Sequence, residues 1–396
     1  MKTFTNRQLF LSHVAQTSPA PLILEIERAV GVYLYAADGK KYMDLIAGIS
    51  VSNLGHSHPV VIKAVQQQVE KYMHLMVYGE FVESPQVKYA EKLTSFLPAQ
   101  LNNVYFTNSG TEATEGALKL AKRVTGSTQL ISFKNGYHGS TQGALSMMGD
   151  ETFKRSFRPL LPDTMQLTYG NKDELSNITE RTAAVIIEPV QAESGITVPA
   201  KNFMQQLREV CTKTGALLIL DEAQTGLGRT GKLFAFEHYD IVPDILLLAK
   251  ALGGGMPLGA FIASKEIMQT LTENPVLGHI TTFGGHPVCC AAGLAAFEVL
   301  TSEKLVEQVE EKGQLFESLL QHPKIKSRSR AGLMMALEFD SFETNKKIID
   351  RCIENGVLTD WFLFAPHCLR IAPPFIITEE EIRTACEVVL RAVDGI

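Results

Sequence analysis

Residues 220–260, LDEAQTGLGRTGKLFAFEHYDIVPDILLLAKALGGGMPLGA, contain the ends of two short apolar runs that are typical of buried strands. The first run, residues 216–220, is followed at once by Asp221, and the second, residues 245–249, by Lys250. Ligands of open α/β sheets bind at the carboxyl edge of the strands. The stretch therefore predicts a sheet that presents one acid and one amine at its binding edge.

An amine and a carboxylate at this edge favour one kind of cofactor. A lysine can form a Schiff base with an aldehyde, and a carboxylate can keep the ring nitrogen of pyridoxal phosphate protonated. Lys250 and Asp221 are therefore the candidate catalytic residues of a pyridoxal-phosphate enzyme. The glycines at 253–255 would give Lys250 room, although a loop that only turns the chain is the alternative.

Strand-like and helix-like segments alternate along the chain before Lys250. Apolar strand-like runs occupy residues 104–106, 129–133 and 182–188, whereas helical spacing of apolar residues marks residues 59–72, 84–96 and 201–214. Strands that alternate with helices form parallel sheets with helices on both faces. The sequence predicts an α/β fold of this kind.

The two ends of the chain carry different patterns. Residues 32–35 and 42–45 flank a turn and predict a hairpin of a small N-terminal sheet. Strand-like residues 334–339 and 369–371 lie between helical patterns at 305–320 and 378–393, so the C-terminal part is predicted to be α+β. We expect three units, which are an N-terminal arm and small sheet (1–55) that packs with the C-terminal domain, a large cofactor-binding domain (56–300) and a small C-terminal domain (301–396).

A second chemical stretch follows the strand at 104–106. Ser109, Gly110 and Thr111 lie between this strand and a helical run to Arg123, so free backbone N–H groups, hydroxyls and the positive end of a helix dipole would converge there. Such a site can hold a phosphate, and an ordinary helix N-cap is the alternative. The stretch is neither GxGxxG nor GxxxxGK[ST], so it does not favour a dinucleotide or a nucleoside triphosphate.

Two further loops contain candidate residues. Tyr137 lies in a glycine-bracketed loop that could bring its ring against a flat cofactor, although packed loop aromatics are common. His56 and His58 are spaced i, i+2 beside Gly55 and Pro59, which does not match a helical pair of metal ligands. We interpret the second loop as a structural turn.

Composition limits the classes of function. The chain has 396 residues, 45% of them hydrophobic, and a formal net charge of −6, which gives no electrostatic case for nucleic acid or an anionic membrane surface. The N-terminus lacks the apolar core of a signal peptide and no apolar run is long enough to span a bilayer, so we expect a cytoplasmic protein. The six cysteines show no CxxC spacing and are predicted to be reduced core thiols.

Several motifs together resemble those of one enzyme family. The runs DEAQTG at 221–226, GRTG at 228–231, PD at 243–244, AK at 249–250 and GGGMPLGA at 253–260 are similar to the signature of the class III pyridoxal-phosphate-dependent aminotransferases, the ornithine, acetylornithine and 4-aminobutyrate group. The resemblance covers the chain from Gly55 to Pro374. It implies fold type I, with a mostly parallel seven-stranded sheet in the large domain, and a homodimer whose active sites contain residues of both chains.

The resemblance also implies roles for single residues. Lys250 resembles the lysine that holds the cofactor and moves the substrate proton, Asp221 the partner of the pyridine nitrogen, and Gln224 the residue that hydrogen-bonds the phenolic oxygen. Thr282 matches a hydroxyl that reaches the phosphate from the neighbouring subunit. The other residues expected to contact the cofactor are Ser109, Gly110, Thr111, Tyr137, His138 and Glu188.

The resemblance suggests two residues for substrate recognition, and the sequence departs from the family at two other positions. Glu193 and Arg370 resemble a switching pair in which the glutamate screens the arginine from an ω-amine and frees it for the carboxylate of glutamate. Ser140 stands where the family usually has a second carboxylate-binding arginine, so either Lys154, Arg155 or Arg158 replaces it or the donor lacks a carboxylate there. Ala223 stands in place of a branched residue behind the ring.

The expected reaction is transamination from an ω-amino acid or related amine to a 2-oxo acid such as 2-oxoglutarate. N-acylornithine or ornithine is the first choice of donor, and 4-aminobutyrate or a diamine follows. A pyridoxal-phosphate-dependent racemase or aminomutase is the alternative from another class, because such enzymes share these motifs. A non-catalytic binding protein would not need Lys250, Asp221 and Gln224 together.

Overall fold

The structure is a computed structural model that describes residues 4–396, so the first three residues of the predicted N-terminal arm lie outside it. In chain order the strands are β1 Ile26–Val30, β2 Tyr33–Ala36, β3 Lys41–Asp44, β4 Asn103–Thr107, β5 Gln129–Phe133, β6 Thr164–Leu167, β7 Thr182–Ile187, β8 Leu217–Asp221, β9 Ile245–Leu248, β10 Gly259–Ala263, β11 Ser327–Ala331, β12 Met334–Glu338, β13 Val357–Leu358, β14 Asp360–Trp361 and β15 Cys368–Ile371.

The α-helices begin near the N-terminus and continue to the C-terminal end of the chain. They are α1 Asn6–His13, α2 Ala47–Ser50, α3 Pro59–Lys71, α4 Ser84–Thr94, α5 Gly110–Thr125, α6 Gln142–Met147, α7 Lys201–Thr214, α8 Lys265–Gln269, α9 Pro287–Ser302, α10 Val309–Leu319, α11 Phe342–Glu354 and α12 Glu379–Asp394. The helices predicted at 59–72, 84–96, 201–214 and 378–393 are confirmed. None of the helices in residues 4–396 is both long and apolar enough to cross a membrane.

The central sheet has seven strands in the order β4-β10-β9-β8-β7-β5-β6. The strands β5 to β9 pair in parallel, and β10 alone runs antiparallel to its neighbours β4 and β9. Except in the edge strand β6, alternate residues of the strands enter two separate apolar cores, one with α5 and the other with α7 and α9. Because both faces are covered, the strands read as continuous apolar runs. The predicted seven-stranded, mostly parallel α/β sheet is confirmed.

Two smaller sheets complete the fold. The predicted hairpin is β2 and β3, with Tyr33 opposite Met43, and it joins a sheet in the order β1-β2-β3-β13. The third sheet, β11-β12-β15-β14, is antiparallel and packs with the C-terminal helices. Because β13 pairs in parallel with β3, the N-terminal sheet includes a strand from the C-terminal part. The residue bounds of the three predicted units stay a prediction.

The segment between β8 and β9 differs from the predicted alternation. Residues 222–244 form turns and one short 3-10 helix, Ala235–Tyr239, and contain no α-helix. Gly228 and Gly231 have φ of +96° and +88°, which a helix cannot accommodate. The expectation of a helix after every strand is therefore wrong here, and the segment is a loop directly beside the binding edge.

The turn that contains His56 and His58 is structural. His56 Nε2 lies 2.8 Å from Asp44 Oδ2, and this buried carboxylate also accepts hydrogen bonds from the N–H groups of Ile46 and Ala47. A Cβ at Gly55, whose φ is +75°, would lie 2.7 Å from the carbonyl oxygen of Gly31. The turn thus fixes the N-terminal sheet against the following helix.

The six cysteines are all buried and none is in a disulfide, so the prediction of core thiols is confirmed. Burial raises the pKa of Cys211 and of Cys352 to about 12. A thiol with so high a pKa carries almost no thiolate at neutral pH and is unreactive.

Arg229 is the largest fully buried side chain and joins three segments. Its Nη1 donates to the carbonyl oxygens of Leu333, at 3.2 Å, and Pro373, at 2.6 Å, and its Nη2 donates to the side chain of Asn53. The guanidinium carbon lies 4.5 Å from the ring centroid of Phe375. One side chain therefore ties the loop after β8 to both the N-terminal and the C-terminal parts.

Replacement of Arg229 by methionine should lower the free energy of unfolding by about 3 kcal/mol, because buried acceptors lose their donor while the volume is nearly kept. Urea denaturation followed by circular dichroism measures the change. Arg383→Ala, at an exposed i, i+4 pair, is the control and should change stability by less than about 0.5 kcal/mol. Equal stability of the Arg229 and Arg383 variants would contradict the assignment.

Candidate active site

A cavity of about 580 Å³ opens at the carboxyl edge of the central sheet. It is bounded by the ends of β7, β8 and β9, by the N-terminus of α5 and by the loop after β5. Ten of the predicted site residues line it, namely Ser109, Gly110, Thr111, Tyr137, His138, Glu188, Glu193, Asp221, Gln224 and Lys250. The structure thus brings together residues that lie up to 141 positions apart, from Ser109 to Lys250, in the sequence.

Lys250 lies directly after β9 and has a φ of +51°, a conformation that non-glycine residues rarely adopt and that occurs at functional sites. Its Nζ donates a hydrogen bond to Gln224 Oε1 at 2.5 Å. Burial lowers the pKa of the Lys250 ammonium, although Glu193 nearby opposes the shift. A lowered pKa increases the fraction of the amine that is neutral at a given pH, and the neutral form is the one that acts as a nucleophile or general base.

Asp221 ends β8 and is held from two sides. Its Oδ2 lies 2.8 Å from His138 Nδ1, and its Oδ1 accepts from the N–H of Ala223 at 3.0 Å. Burial opposes a charge on His138, but the hydrogen bond to Asp221 raises the pKa of the imidazole. The pair fixes a carboxylate at the floor of the cavity, where it can face a cationic ring nitrogen.

Glu188 follows β7 and links two loops of the cavity. Its carboxylate accepts from the N–H of Tyr137 at 3.0 Å and from that of Ala192 at 3.4 Å. Burial raises the pKa of Glu188 to about 7. Glu188 therefore positions the backbone of Tyr137 and that of Ala192, which precedes Glu193.

The first turn of α5 forms an anion seat. Ser109 is the N-cap, and its hydroxyl accepts from the N–H of Glu112 at 3.3 Å. Glu112 complements the helix dipole and turns its carboxylate to Asn108, whose N–H and side-chain amide donate at 2.9 and 2.8 Å. The N–H groups of the first turn remain at the cavity and fit a phosphate. Thr111 Oγ1 is already engaged, because it lies 2.7 Å from Thr141 Oγ1 and accepts from the N–H of Thr141 at 3.2 Å.

Tyr137 and Ser140 belong to the loop after β5, which lines the cavity. The phenolic oxygen of Tyr137 lies 3.2 Å from Ser140 Oγ, and both residues line the cavity. Ala223 also lines the cavity, and its Cβ would lie 3.6 Å from a Cβ placed on Gly110 of the anion seat. The cavity thus combines an anion seat, an aromatic side chain, a buried carboxylate and an amine. The residues present therefore fit pyridoxal phosphate.

Glu193 and Arg370 form the predicted pair. Arg370 Nη1 donates to Glu193 Oε1 at 2.9 Å and Nη2 donates to Oε2 at 3.0 Å, a bidentate arrangement between two buried side chains. Burial opposes the charge of Glu193, but Arg370 lowers the pKa of this carboxyl below its usual value. Glu193 lines the cavity and Arg370 lies behind it, so the glutamate screens the arginine.

Besides Arg370, four residues that the sequence suggested for cofactor or substrate binding lie outside the cavity of this chain. Thr282 is exposed on the loop before α9. Lys154 is buried and donates to the carbonyl oxygen of Met148 at 3.0 Å, while Arg158 pairs with Glu151 at 2.7 Å. Arg155 is exposed away from the cavity lining. The idea that Lys154 replaces the missing arginine at position 140 is wrong. Its ammonium is buried and donates to carbonyl oxygens at the C-terminus of the short helix α6.

The sequence reading missed two groups of residues. Val51, Met256, Pro257 and Leu258 form apolar walls of the cavity. Asp360, on β14, has its Oδ1 2.9 Å from Arg370 Nε, and burial raises the pKa of its carboxyl to about 6. No motif could have pointed to Asp360, because only the antiparallel pairing of β14 with β15 sets it opposite Arg370.

The fold and the site together define a class of enzyme. The profile of the Aminotransferase class-III family matches residues 14–393, and the chain belongs to this family. Acetylornithine aminotransferase from Methanopyrus kandleri is 41% identical over 360 residues, which are 90% of each chain. Acetylornithine aminotransferase from Archaeoglobus fulgidus is 38% identical over 380 residues, 96% of this chain and 98% of the relative.

Solved structures agree with this assignment. An aminotransferase from Bacillus anthracis superposes with a TM-score of 0.93 at 26% identity and covers 98% of both chains. The ornithine aminotransferase from Toxoplasma gondii superposes with a TM-score of 0.91 at 31% identity and covers 100% of this chain and 96% of its own. The expected fold type I of the transaminases is confirmed.

Replacement of Gly139 by alanine should weaken the binding of pyridoxal phosphate about ten-fold. Gly139 has a φ of +124°, and a Cβ there would lie 2.9 Å from the Thr111 Cα and closer still to its side chain, so the anion seat must shift. Equilibrium titration followed by absorbance measures the affinity. Gly126→Ala is the matched control, because Gly126 also has a positive φ, +69°, but open space around it. Equal affinities in the two variants would refute the steric explanation.

Proposed function

We propose that the protein is an N-acetylornithine aminotransferase that transfers the δ-amino group of N-acetylornithine or ornithine to a 2-oxo acid, most favourably 2-oxoglutarate. The observation that carries the reaction type is the position of Lys250 beside Gln224 and Asp221 at the edge of the sheet. The names of the relatives support the donor. The cofactor is pyridoxal phosphate, which solved structures of similar transaminases contain as PLP or in its amino form, PMP.

When bound, pyridoxal phosphate supplies an aldehyde that reacts with amines and a cationic ring that withdraws electrons from the substrate carbon. Lys250 supplies the amine that holds the cofactor and then accepts and returns the substrate proton, for which its lowered pKa is suited. Asp221 keeps the ring nitrogen protonated, and His138 holds this carboxylate in place. These roles account for the two ionisable groups that the strands present.

The remaining residues of the cavity orient the cofactor. Ser109, Gly110 and Thr111 hold the phosphate at the start of α5. Glu188 fixes the backbone of Tyr137, whose ring would pack on the ring of the cofactor. Gln224, which bonds Lys250 in the structure, would hydrogen-bond the phenolic oxygen of the cofactor. The resemblance to the family supports these roles.

Glu193 and Arg370 allow one cavity to accept two unlike substrates. With the pair closed, the arginine is screened and an ω-amine can enter beside Lys250. When a 2-oxo acid binds, Glu193 withdraws and the Nη edge of Arg370 takes the carboxylate in its place. This exchange supports a reaction in two halves.

A second candidate donor is a diamine or another ω-amine without a carboxylate. Among residues 4–396, Lys250 is the only lysine or arginine that lines the cavity, and Ser140 occupies the position of the usual second arginine. A donor carboxylate would therefore find no cation of this chain except Arg370. Comparison of N-acetylornithine, ornithine, 4-aminobutyrate and putrescine as donors distinguishes the candidates.

We infer that two copies of the chain form the active enzyme. Val82 and Val276 are 93% and 71% exposed, and they belong to two apolar segments, 73–82 and 276–283, that meet where the rings of His74 and Phe283 lie 4.7 Å apart. The second segment also accepts a hydrogen bond at Thr281 from Asn108, next to the anion seat. An exposed apolar surface beside the cavity fits a second copy, whose Thr282 would reach the phosphate.

We further infer that the enzyme works in the cytoplasm. All six cysteines are unpaired and buried, which suits a reducing compartment. The substrates are amino acids and oxo acids, and neither a nucleic acid nor a membrane is needed as a partner.

Lys250→Ala should abolish transfer from N-acetylornithine to 2-oxoglutarate while the protein stays folded, because no other lysine among residues 4–396 lines the cavity. Glutamate formation in a coupled assay measures turnover, and loss by a factor of at least about 1,000 is expected. Lys265→Ala, at the start of α8, is the control. Wild-type turnover in Lys250→Ala would refute the role, and absence of glutamate with every donor in the wild type would refute the proposed function.

The double variant Val82→Asp, Val276→Asp should be monomeric and should bind the cofactor about ten-fold more weakly, because two charges would be buried at the contact between copies and the partner's Thr282 would be lost. Sedimentation velocity measures the mass. Val198→Asp, at another exposed valine, is the control. A variant that keeps the wild-type mass would show that these segments do not join the copies.

A further inference from the structure

Four consecutive residues, beginning at Thr359, surround Arg370. The Thr359 hydroxyl donates to the carbonyl oxygen of Arg370 at 2.5 Å. Asp360 Oδ1 lies 2.9 Å from Arg370 Nε in a buried ion pair whose two atoms are not aligned for a hydrogen bond. The carbonyl oxygen of Trp361 accepts from Nη2 at 3.0 Å, and the guanidinium carbon lies 4.5 Å from the ring centroid of Phe362. The arginine is therefore held on its backbone, its Nε side, its Nη2 and one face.

The next two residues hold Glu193, but less firmly. The N–H of Leu363 donates to Glu193 Oε2 at 3.1 Å, and the N–H of Phe364 donates to the backbone carbonyl oxygen of Glu193 at 3.0 Å. Besides Arg370, the carboxylate itself has only the Leu363 N–H as a hydrogen-bond donor among residues 4–396. When the pair separates, the glutamate is thus the member that can move, and the arginine keeps its other contacts.

A guanidinium can bind a carboxylate along two edges. One edge contains Nη1 and Nη2, and the other contains Nε and one Nη. Asp360 lies on the Nε side, so the Nη1–Nη2 edge is the one that faces Glu193 and the cavity. A carboxylate that replaces Glu193 must then bind along that same edge.

Asp360 also compensates the charge of Arg370 while Glu193 is withdrawn. Arg370 is 3% exposed, and a buried guanidinium without a counter-ion is strongly unfavourable. Asp360 remains beside it and compensates its charge until the substrate carboxylate arrives. The separation of Arg370 from Glu193 therefore never leaves an isolated buried charge.

We propose that Asp360 is a positioning residue for the oxo-acid half-reaction, in which it holds the Nε side of Arg370 and keeps the Nη1–Nη2 edge directed at the cavity. It does not touch the substrate and acts only through Arg370. This inference deepens the proposed function and rests on the exchange of Glu193 for a substrate carboxylate.

Asp360→Asn should raise the KM for 2-oxoglutarate about ten-fold and change kcat by less than about three-fold, because the charged contact that orients Arg370 is lost. The rate of the amine half-reaction with N-acetylornithine, measured in single turnovers, should stay within about three-fold of the wild type, because Arg370 is screened in that half. Asp350→Asn, at an i, i+4 pair with Lys346 on α11, is the matched control and should change neither half.

The double variant with Arg370→Gln tests whether Asp360 acts through the arginine. Adding Asp360→Asn to Arg370→Gln should raise the KM for 2-oxoglutarate by less than about two-fold, since the residue it orients is already lost. If Asp360→Asn does not fold, as judged by thermal unfolding, Asp360→Ser is measured with the same criteria.

Equal changes in both half-reactions, or an unchanged KM for 2-oxoglutarate, would overturn the role of Asp360. Additive effects in the double variant would do so as well. Failure of the proposed function looks different, because the wild type itself would then form no glutamate from any donor with 2-oxoglutarate.

Discussion

The parallel register of β8 and β9 is the constraint on which the site depends. Asp221 lies opposite Leu247 in the ladder, so Lys250 emerges just beyond the end of the neighbouring strand, at the same edge. A shift of one residue in either strand would turn its side chains to the other face. The shift is prevented because both faces of the sheet are buried against helices. The packing of the apolar residues in these strands thus determines how far apart the side chains of Asp221 and Lys250 lie.

The charged groups of the cavity are compensated in pairs. Asp221 contacts His138, and Glu193 contacts Arg370, which also has Asp360 at its Nε side. Within the described part of the chain the Glu188 carboxylate has only backbone N–H donors, and burial raises its pKa to about 7. Compensation keeps buried carboxylates tolerable in a low dielectric. Burial lowers the pKa of Lys250, although three acids, Glu193, Asp221 and Glu188, act in the opposite direction.

Much of this arrangement could be predicted from the sequence, because local patterns carry it. Strand β5 and helix α7 have the predicted bounds, and the anion seat, Lys250 and Asp221 converge as expected. Strand β10 was missed because its residues belong to a glycine-rich motif. Helix α11 was overlooked although Ser341 caps it and Ile348, Ile349 and Cys352 recur at helical spacing. Lys154 was misjudged and Asp360 was overlooked because the direction of a charged side chain, to a cavity or to the core, depends on contacts between distant segments. The periodicity of the sequence does not encode such contacts.

The pairing of β13 with β3 can form only late in folding. Val357 lies opposite Met43, more than 300 positions earlier, and the first small sheet contains both. Ladders between such distant segments raise the contact order and form late, since a very long loop must close before they contribute stability. During synthesis the hairpin of β2 and β3 leaves the ribosome long before its neighbour exists. Its open edge stays unprotected until nearly the whole polypeptide has been made.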